Sequence, residues 1–296
     1  MSRPRRFLQL DVFASQLFDG NPLAVVVDAQ GLDGETMQRI ARWTNLSETS
    51  FLLPPTHASA DYRVRIFTPR QELPFAGHPS VGSAYAAIDA GLVDPTRTNL
   101  VQECAAGLLP VRVTGEGPAR IIRVQAPPAH LHEMDDPDRS ALGAALHAEV
   151  IPGEIVRVDN GPHWILCHLG QAGVVRALDP DIGAVAGWCR QHGAVGVSVF
   201  GREPAGDAAM AVRAFCPADG IPEDPVTGSA NAAIMAWLAA RDDRDGYGLV
   251  YRASQGREVG RDGVVEVARD AASGAITIGG ACVIGLRGEL QFPPRH

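Results

Sequence analysis

One short pattern occurs twice in this chain. Residues 78–88 read HPSVGSAYAAI and residues 224–234 read DPVTGSANAAI. Both carry Pro-x-x-Gly-Ser-Ala-x-Ala-Ala-Ile, and Pro79 and Pro225 stand 146 positions apart, about half the chain. After each glycine the apolar residues fall at helical spacing, to about Gly91 and Arg241. The pattern predicts a Pro/Gly loop feeding the first turn of a buried helix in each half. A helix start presents unpaired N–H groups and the positive end of the helix dipole, which suits an anion such as a carboxylate. The same residues also read as small side chains that let a core helix pack closely. A repeated polar approach loop is more than packing requires.

Alternation and turn signals place the other elements. Residues 7–13 and 23–27 read as strands joined by the turn Asp19-Gly20-Asn21-Pro22. Residues 33–43 read as a helix with Asp33 as N-cap, and 62–67 as a strand. Residues 68–79 read as an irregular loop with three prolines. Short strands follow at 99–103, 109–114 and 119–125, and Pro127-Pro128 is the linker candidate. The second half runs alike, with strands at 156–160 and 164–169 around Asn160-Gly161-Pro162, a helix at 181–192, and strands at 196–200 and 209–215 before the second motif. Later strands are expected at 248–254, 264–268, 275–278 and 281–286. The fold class is therefore α+β, a duplicated unit in which each sheet wraps its central helix. No GxGxxG or Walker motif is present, so the pattern is not a nucleotide-binding one.

Composition narrows the function classes. The chain has 296 residues, enough for two domains, and a net charge of −8 with no basic block beyond Arg3–Arg6, which argues against nucleic-acid or anionic-membrane partners. The basic N-terminus is followed by no apolar run of secretory length, and no stretch approaches a transmembrane span. Cys104, Cys167, Cys189, Cys216 and Cys282 are scattered and never in CxxC spacing. That fits a reducing cytoplasm and neither a disulfide framework nor a zinc site. No HExxH occurs, so no metal is expected.

The segments DVFASQLFDGNPLAVVV (11–27), NLSETSFLL (45–53), FTPRQELPFAGHPSVGSA (67–84), DNGPHW (159–164), RAFCPADGIPEDPVTGSAN (213–231) and QGREVGR (255–261) resemble the phenazine-biosynthesis PhzF-like family. SET, FAGHP and EDPxTGSA are its specific marks. The resemblance implies the diaminopimelate epimerase-like fold, with two pseudo-symmetric domains, each a β-barrel around a central helix, and an active site between them. The boundaries expected are 1–126, completed by 282–296, and 127–281. A homodimer is implied as well.

The resemblance also implies chemistry. Epimerases of this fold use a cysteine at each helix start, and this chain has none there, which weighs against two-thiol racemisation. Glu48, in Ser47-Glu48-Thr49, matches the family's catalytic glutamate. A glutamate serves as a base near neutral pH when it is desolvated and held against its target, and Phe51, Leu52 and Leu53 provide an apolar setting. Without the resemblance Glu48 reads equally as a surface or capping residue. His78 and Asp224, in corresponding places before the two prolines, are expected to bond the substrate and help move its proton. Without the resemblance they read as a loop histidine and an N-cap. Gly77, Gly228 and Ser229 are the expected carboxylate binders. Glu72, Glu223 and Arg257 are secondary candidates, Glu72 as a residue orienting the His78 loop. The function expected is a cofactor-independent isomerase that moves a proton within a small cyclic or amino-acid-like carboxylic acid, in phenazine producers a dihydro-hydroxyanthranilate. Two alternatives stay open: an epimerase or racemase without thiols, and a ligand-binding or scaffold protein of the same fold.

Overall fold

The computed structural model describes residues 4–241 and 246–291. The chain forms two compact units, Met1–Gln125 with Gly279–His296, and Ala126–Ile278. Residues 292–296, part of the segment expected to complete the first unit, lie outside the described residues, as do residues 1–3 of the basic N-terminus.

The first unit carries β1 (Arg5–Val12), β2 (Asn21–Val26), α1 (Gly34–Thr44), β3 (Glu48–Leu53), β4 (Tyr62–Phe67), β5 (Glu72–Leu73), α2 (Gly77–Asp89), β6 (Asn99–Cys104), β7 (Gly107–Thr114) and β8 (Ile121–Gln125). The second carries β9 (His130–Glu133), α3 (Asp136–Leu146), β10 (Ile155–Asp159), β11 (His163–Gln171), α4 (Ala172–Arg176), α5 (Ile182–His192), β12 (Gly196–Arg202), β13 (Met210–Cys216), β14 (Ile221–Asp224), α6 (Gly228–Ala240), β15 (Val250–Gln255) and β16 (Gly263–Arg269), before β17 (Ile276–Leu290).

In the first unit the strands pair in the ring β17–β1–β2–β3–β4–β6–β7–β8, and β8 pairs again with β17. A closed ring leaves no open edge. The β2–β3 and β4–β6 pairs are parallel, and a helix makes each crossover, α1 and α2 respectively. α1 lies on the outer face, where Met37 and Ala41 pack with Val26, Phe51 and Phe67. It starts as its sequence predicts: the Asp33 carboxylate accepts the Thr36 N–H at 2.8 Å. α2 is the inner helix. It touches β1, β2, β3, β4 and β8 and is buried on nearly every side, as its run of Gly, Ser and Ala allows.

The second unit repeats this plan. Its sheet runs β9–β10–β11–β12–β13–β15–β16, with β11–β12 and β13–β15 parallel. β14 sits on β13 as β5 sits on β4. α6 is the buried inner helix, against β10, β11 and β16. An outer apolar cluster joins Leu142 and Leu146 of α3 and Val185 and Cys189 of α5 to Ile165 and Val197 of the sheet.

Several expectations change. The late strands at 275–278 and 281–286 are one continuous strand, β17, whose Gly279 lets it lie against β8: a Cβ there would stand 2.3 Å from the Ile122 carbonyl oxygen. α3 and β9, between the linker and β10, were not foreseen. Most important, residues 68–79 are not a single loop into a helix. α2 already begins at Gly77, so Pro79 lies in its first turn, where a missing N–H breaks no helical bond, and Gly82 lies inside the helix. Gly82 is a packing residue, since a Cβ there would meet Leu23 Cδ2 at 2.6 Å and Val12 Cγ2 at 2.8 Å.

Candidate functional site

The helix starts put the repeat in a different register. Gly77 and Gly228 are the first residues of α2 and α6, and they stand 151 positions apart, not 146. In that register Glu72-Leu73-Pro74-Phe75-Ala76-Gly77-His78 matches Glu223-Asp224-Pro225-Val226-Thr227-Gly228-Ser229, so the common pattern is Glu-x-Pro-x-x-Gly. His78 and Asp224 therefore do not correspond. His78 lies in the first turn of α2 and matches Ser229, whereas Asp224 ends β14 and matches Leu73. The N-caps are Ala76 and Thr227, and neither helix start receives a side-chain cap bond. The N–H groups of the first turns, Gly77 and His78 in α2 and Gly228 and Ser229 in α6, have no intrahelical acceptor and face the start of each helix. No thiol stands at either start.

In the first unit Glu48 and His78 come together. Glu48 opens β3, pairing with Leu23 of β2 in parallel register. Its Oε2 lies 3.4 Å from His78 Nε2, with side-chain exposures of 16% and 7%. Burial pushes the His78 ring down to about 3, so it is neutral across the physiological range. The helix dipole at this end of α2 disfavours an imidazolium in the same direction. The separation agrees, because a charged His–carboxylate hydrogen bond closes to about 2.8 Å. The arrangement is a largely desolvated carboxylate beside a neutral imidazole at an uncapped helix start, a pairing that can accept, hold and return a proton.

In the second unit a buried polar network surrounds Asp224. Its carboxylate accepts the Thr227 hydroxyl at 2.5 Å. Gln255, fully buried at the end of β15, ties this loop together. Its Oε1 accepts the Thr227 N–H at 3.0 Å and the Asn231 amide at 3.1 Å. Its Nε2 donates to the Asp224 carbonyl at 3.1 Å and to Thr227 Oγ1 at 2.9 Å. Ser229 accepts the Trp164 indole N–H on Oγ at 3.1 Å, while Asn160 Nδ2 donates to its carbonyl at 2.8 Å. An indole nitrogen only donates, so the Ser229 hydroxyl hydrogen is left to point elsewhere. A hydroxyl held so can donate to an anion at the helix start.

Gln255, Trp164 and Asn160 are the contributors that residue-by-residue reading passes over. Gln255 and Trp164 lie in the segments QGREVGR and DNGPHW that carry the family resemblance, but their roles show only in the contacts they make with the α6 start. Asn160 carried a signal, its Asn-Gly-Pro turn echoing Gly20-Asn21-Pro22. The secondary candidates have partners of their own. Glu72 is held by Arg65 and Glu223 by Arg213. Arg257 pairs with Asp262 on the surface, with half of each side chain exposed. A cavity of about 510 Å³ in the first unit, walled by Leu52, Leu53, Asp61 and Leu92, lies at the other end of β3 and α2 from Glu48 and Gly77. Among the described residues no group of three or more His, Cys, Asp or Glu side chains is placed to share a metal ion, and no helix is long and apolar enough to cross a membrane.

Comparison with known proteins places the chain in a family. A curated relative from Schizosaccharomyces pombe, antisense-enhancing sequence 1, is 36% identical over 290 residues, covering 94% of this chain and 97% of its own. The trans-2,3-dihydro-3-hydroxyanthranilate isomerase of Pseudomonas aeruginosa is 35% identical over 260 residues, 86% of this chain and 87% of its own. The crystal structure of a PhzF-family phenazine biosynthesis protein from Bacillus anthracis superposes with a TM-score of 0.85 at 26% identity, over 98% of this chain and all of its own. The family model for phenazine biosynthesis-like proteins, PhzC-PhzF, matches residues 10–288, and the chain belongs to that family as an isomerase with the epimerase-like α+β fold.

Proposed function

We propose that this isomerase shifts a proton within a small carboxylic acid by Glu48 general acid–base catalysis, without a cofactor. The supporting observation is the Glu48 carboxylate, largely out of water and 3.4 Å from a buried His78. Glu48 takes a proton from a carbon made acidic by an adjoining double bond or carbonyl and returns it to another carbon of the same molecule. His78, neutral, donates or accepts a hydrogen bond as the charge moves. By the family resemblance, Gly77, Gly228 and Ser229 are the proposed carboxylate binders, and Asp224 the proposed acceptor for an amino or ammonium substituent. A small cyclic or amino-acid-like acid fits this donor and acceptor set, and trans-2,3-dihydro-3-hydroxyanthranilate, acted on by the Pseudomonas relative, is the first compound to try. The scattered cysteines, never in CxxC spacing, fit a reducing cytoplasm, and a homodimer is the assembly proposed from the family resemblance, to be checked by sedimentation.

The test is turnover of that acid and of a panel of small carboxylates in deuterated water. The expected result is double-bond migration with a slowdown of about a thousandfold or more in Glu48→Gln. Undiminished turnover in Glu48→Gln overturns the assignment. Deuterium entering a stereocentre with no bond migration assigns the thiol-free epimerase reading instead.

A further inference from the structure

The same side-chain clamp stands beside each helix start, and the chemistry above uses neither. In the first unit Arg65 of β4 grips Glu72 of β5, Nε donating to Oε1 at 2.6 Å and Nη2 to Oε2 at 2.7 Å. Its guanidinium lies 5.1 Å from the centre of the Phe67 ring. In the second unit Arg213 of β13 grips Glu223 of β14 through the same atoms, at 3.0 and 2.8 Å, and lies 4.9 Å from the centre of the Phe215 ring. The spacing is shared as well. Each arginine sits in Arg-x-Phe, and each glutamate precedes the helix-opening glycine by five residues. The clamp therefore belongs to the duplicated unit, together with the helix start.

Its position explains what it does. β14 pairs with β13 only at Ala214↔Asp224 and Cys216↔Ile221, with a register shift between them. A strand held so sparsely does not fix the direction of its own side chains. A planar guanidinium fork meets a carboxylate bidentately in one orientation and supplies what the backbone ladder lacks. Asp224 is the next residue after Glu223, so fixing Glu223 fixes the face on which Asp224 emerges. The second clamp is also the more committed of the two. Its side chains are each 8% exposed, against 32% and 34% in the first, and Arg213 Nη1 also donates to the Leu178 carbonyl at 2.7 Å.

We propose that Arg213 and Glu223 are positioning residues for Asp224, and that Arg65 and Glu72 are their weaker counterparts for the α2 start that carries His78. The roles of Asp224 and His78 rest on the function proposed above. The clamp itself is tested apart from them. Glu223→Gln, Arg213→Lys and Glu72→Gln are made in the full chain and compared by peptide-resolved hydrogen exchange, which needs no substrate. In Glu223→Gln the amides of residues 224–231 exchange about tenfold faster while those of 77–84 do not change, and Glu72→Gln gives the converse with a smaller effect. Arg213→Lys, which keeps the charge but loses the fork, reproduces Glu223→Gln. Exchange that rises evenly across a whole unit, or not at all, overturns the proposal, as does wild-type behaviour of Arg213→Lys. The kinetic arm uses whichever acid the wild type turns over: kcat falls about tenfold in Glu223→Gln with KM within about threefold. Unchanged kcat in that variant overturns the positioning role. A wild type that turns over none of the acids counts against the proposed function, and the exchange data still decide the clamp.

Discussion

The charge state of His78 is the point on which the proton chemistry turns, and it has a measurable signature in stability. The ring is buried and held down to about 3 from an ordinary 6.5, with burial as the cause. Folding thus favours the neutral ring. Between pH 6.5 and 3 the unfolded chain binds a proton that the folded chain does not, so stability falls as pH falls through that window. With those two values the linkage amounts to about 2 kcal/mol lost at pH 5 and almost nothing at pH 7. The perturbation is His78→Gln, which keeps a polar group and removes the titration. Urea unfolding of the transition that includes the first unit, for wild type and variant at pH 7 and pH 5, gives a double difference in which the other histidines cancel. Wild type should lose about 2 kcal/mol more than the variant on acidification. The opposite result, wild type gaining on the variant at pH 5, would mean that Glu48 holds His78 as a cation, and the neutral-imidazole mechanism would be wrong. Equal losses would refute the burial argument itself. Nitrogen-edited NMR of the ring gives an independent check, with His78 showing no titration near 6.5.

Other outcomes follow from contacts already described. Gln255→Leu leaves the Thr227 N–H, the Asp224 carbonyl and one Asn231 donor bond unmade in a buried loop. It should lower stability by about 3 kcal/mol in denaturant titration. Gly82→Ala adds a methyl against Leu23 and Val12. Overpacking of about 1–3 kcal/mol is set against a helix preference of about 1 kcal/mol, for a net loss of up to about 2 kcal/mol. Trp164→Phe removes the donor that sets the Ser229 hydroxyl, so KM for a carboxylate substrate should rise about tenfold with kcat changed much less. An unchanged KM would separate Ser229 from substrate binding.

Sequence alone identified most of the sheet, because half-buried strands alternate and the turns between them carry Gly, Pro and Asn. It also located α1 and α5, whose caps Asp33 and Asp181 each accept an N–H three residues on. It misplaced the repeat. Gly-Ser-Ala-x-Ala-Ala-Ile describes the small, apolar inside of a barrel helix, and such a run can slide along the helix without changing its character. The true register is carried by Glu72 and Glu223 and by the opening glycines, which match over far fewer residues. Glu48 and His78 were picked out by the family resemblance, yet their meeting depends on β3 and α2 converging at one end of the barrel, which no local pattern encodes. The role of Gln255 was hidden for a similar reason, although it opens the segment QGREVGR that the resemblance rests on. Its value lies in the four bonds it makes to residues at least 24 positions away.

The way the first barrel closes also bears on how the protein is made. The strand that pairs with both β1 and β8 is β17, so the gap between them is filled by residues translated after the whole second unit. While the ribosome works through the intervening residues, the early half waits as an open sheet with two unsatisfied edges, exposed to neighbours and to chaperones. A gene fragment ending at Gln125 would preserve that waiting state permanently, and fusing the last strand to it by a short linker is the direct way to relieve it.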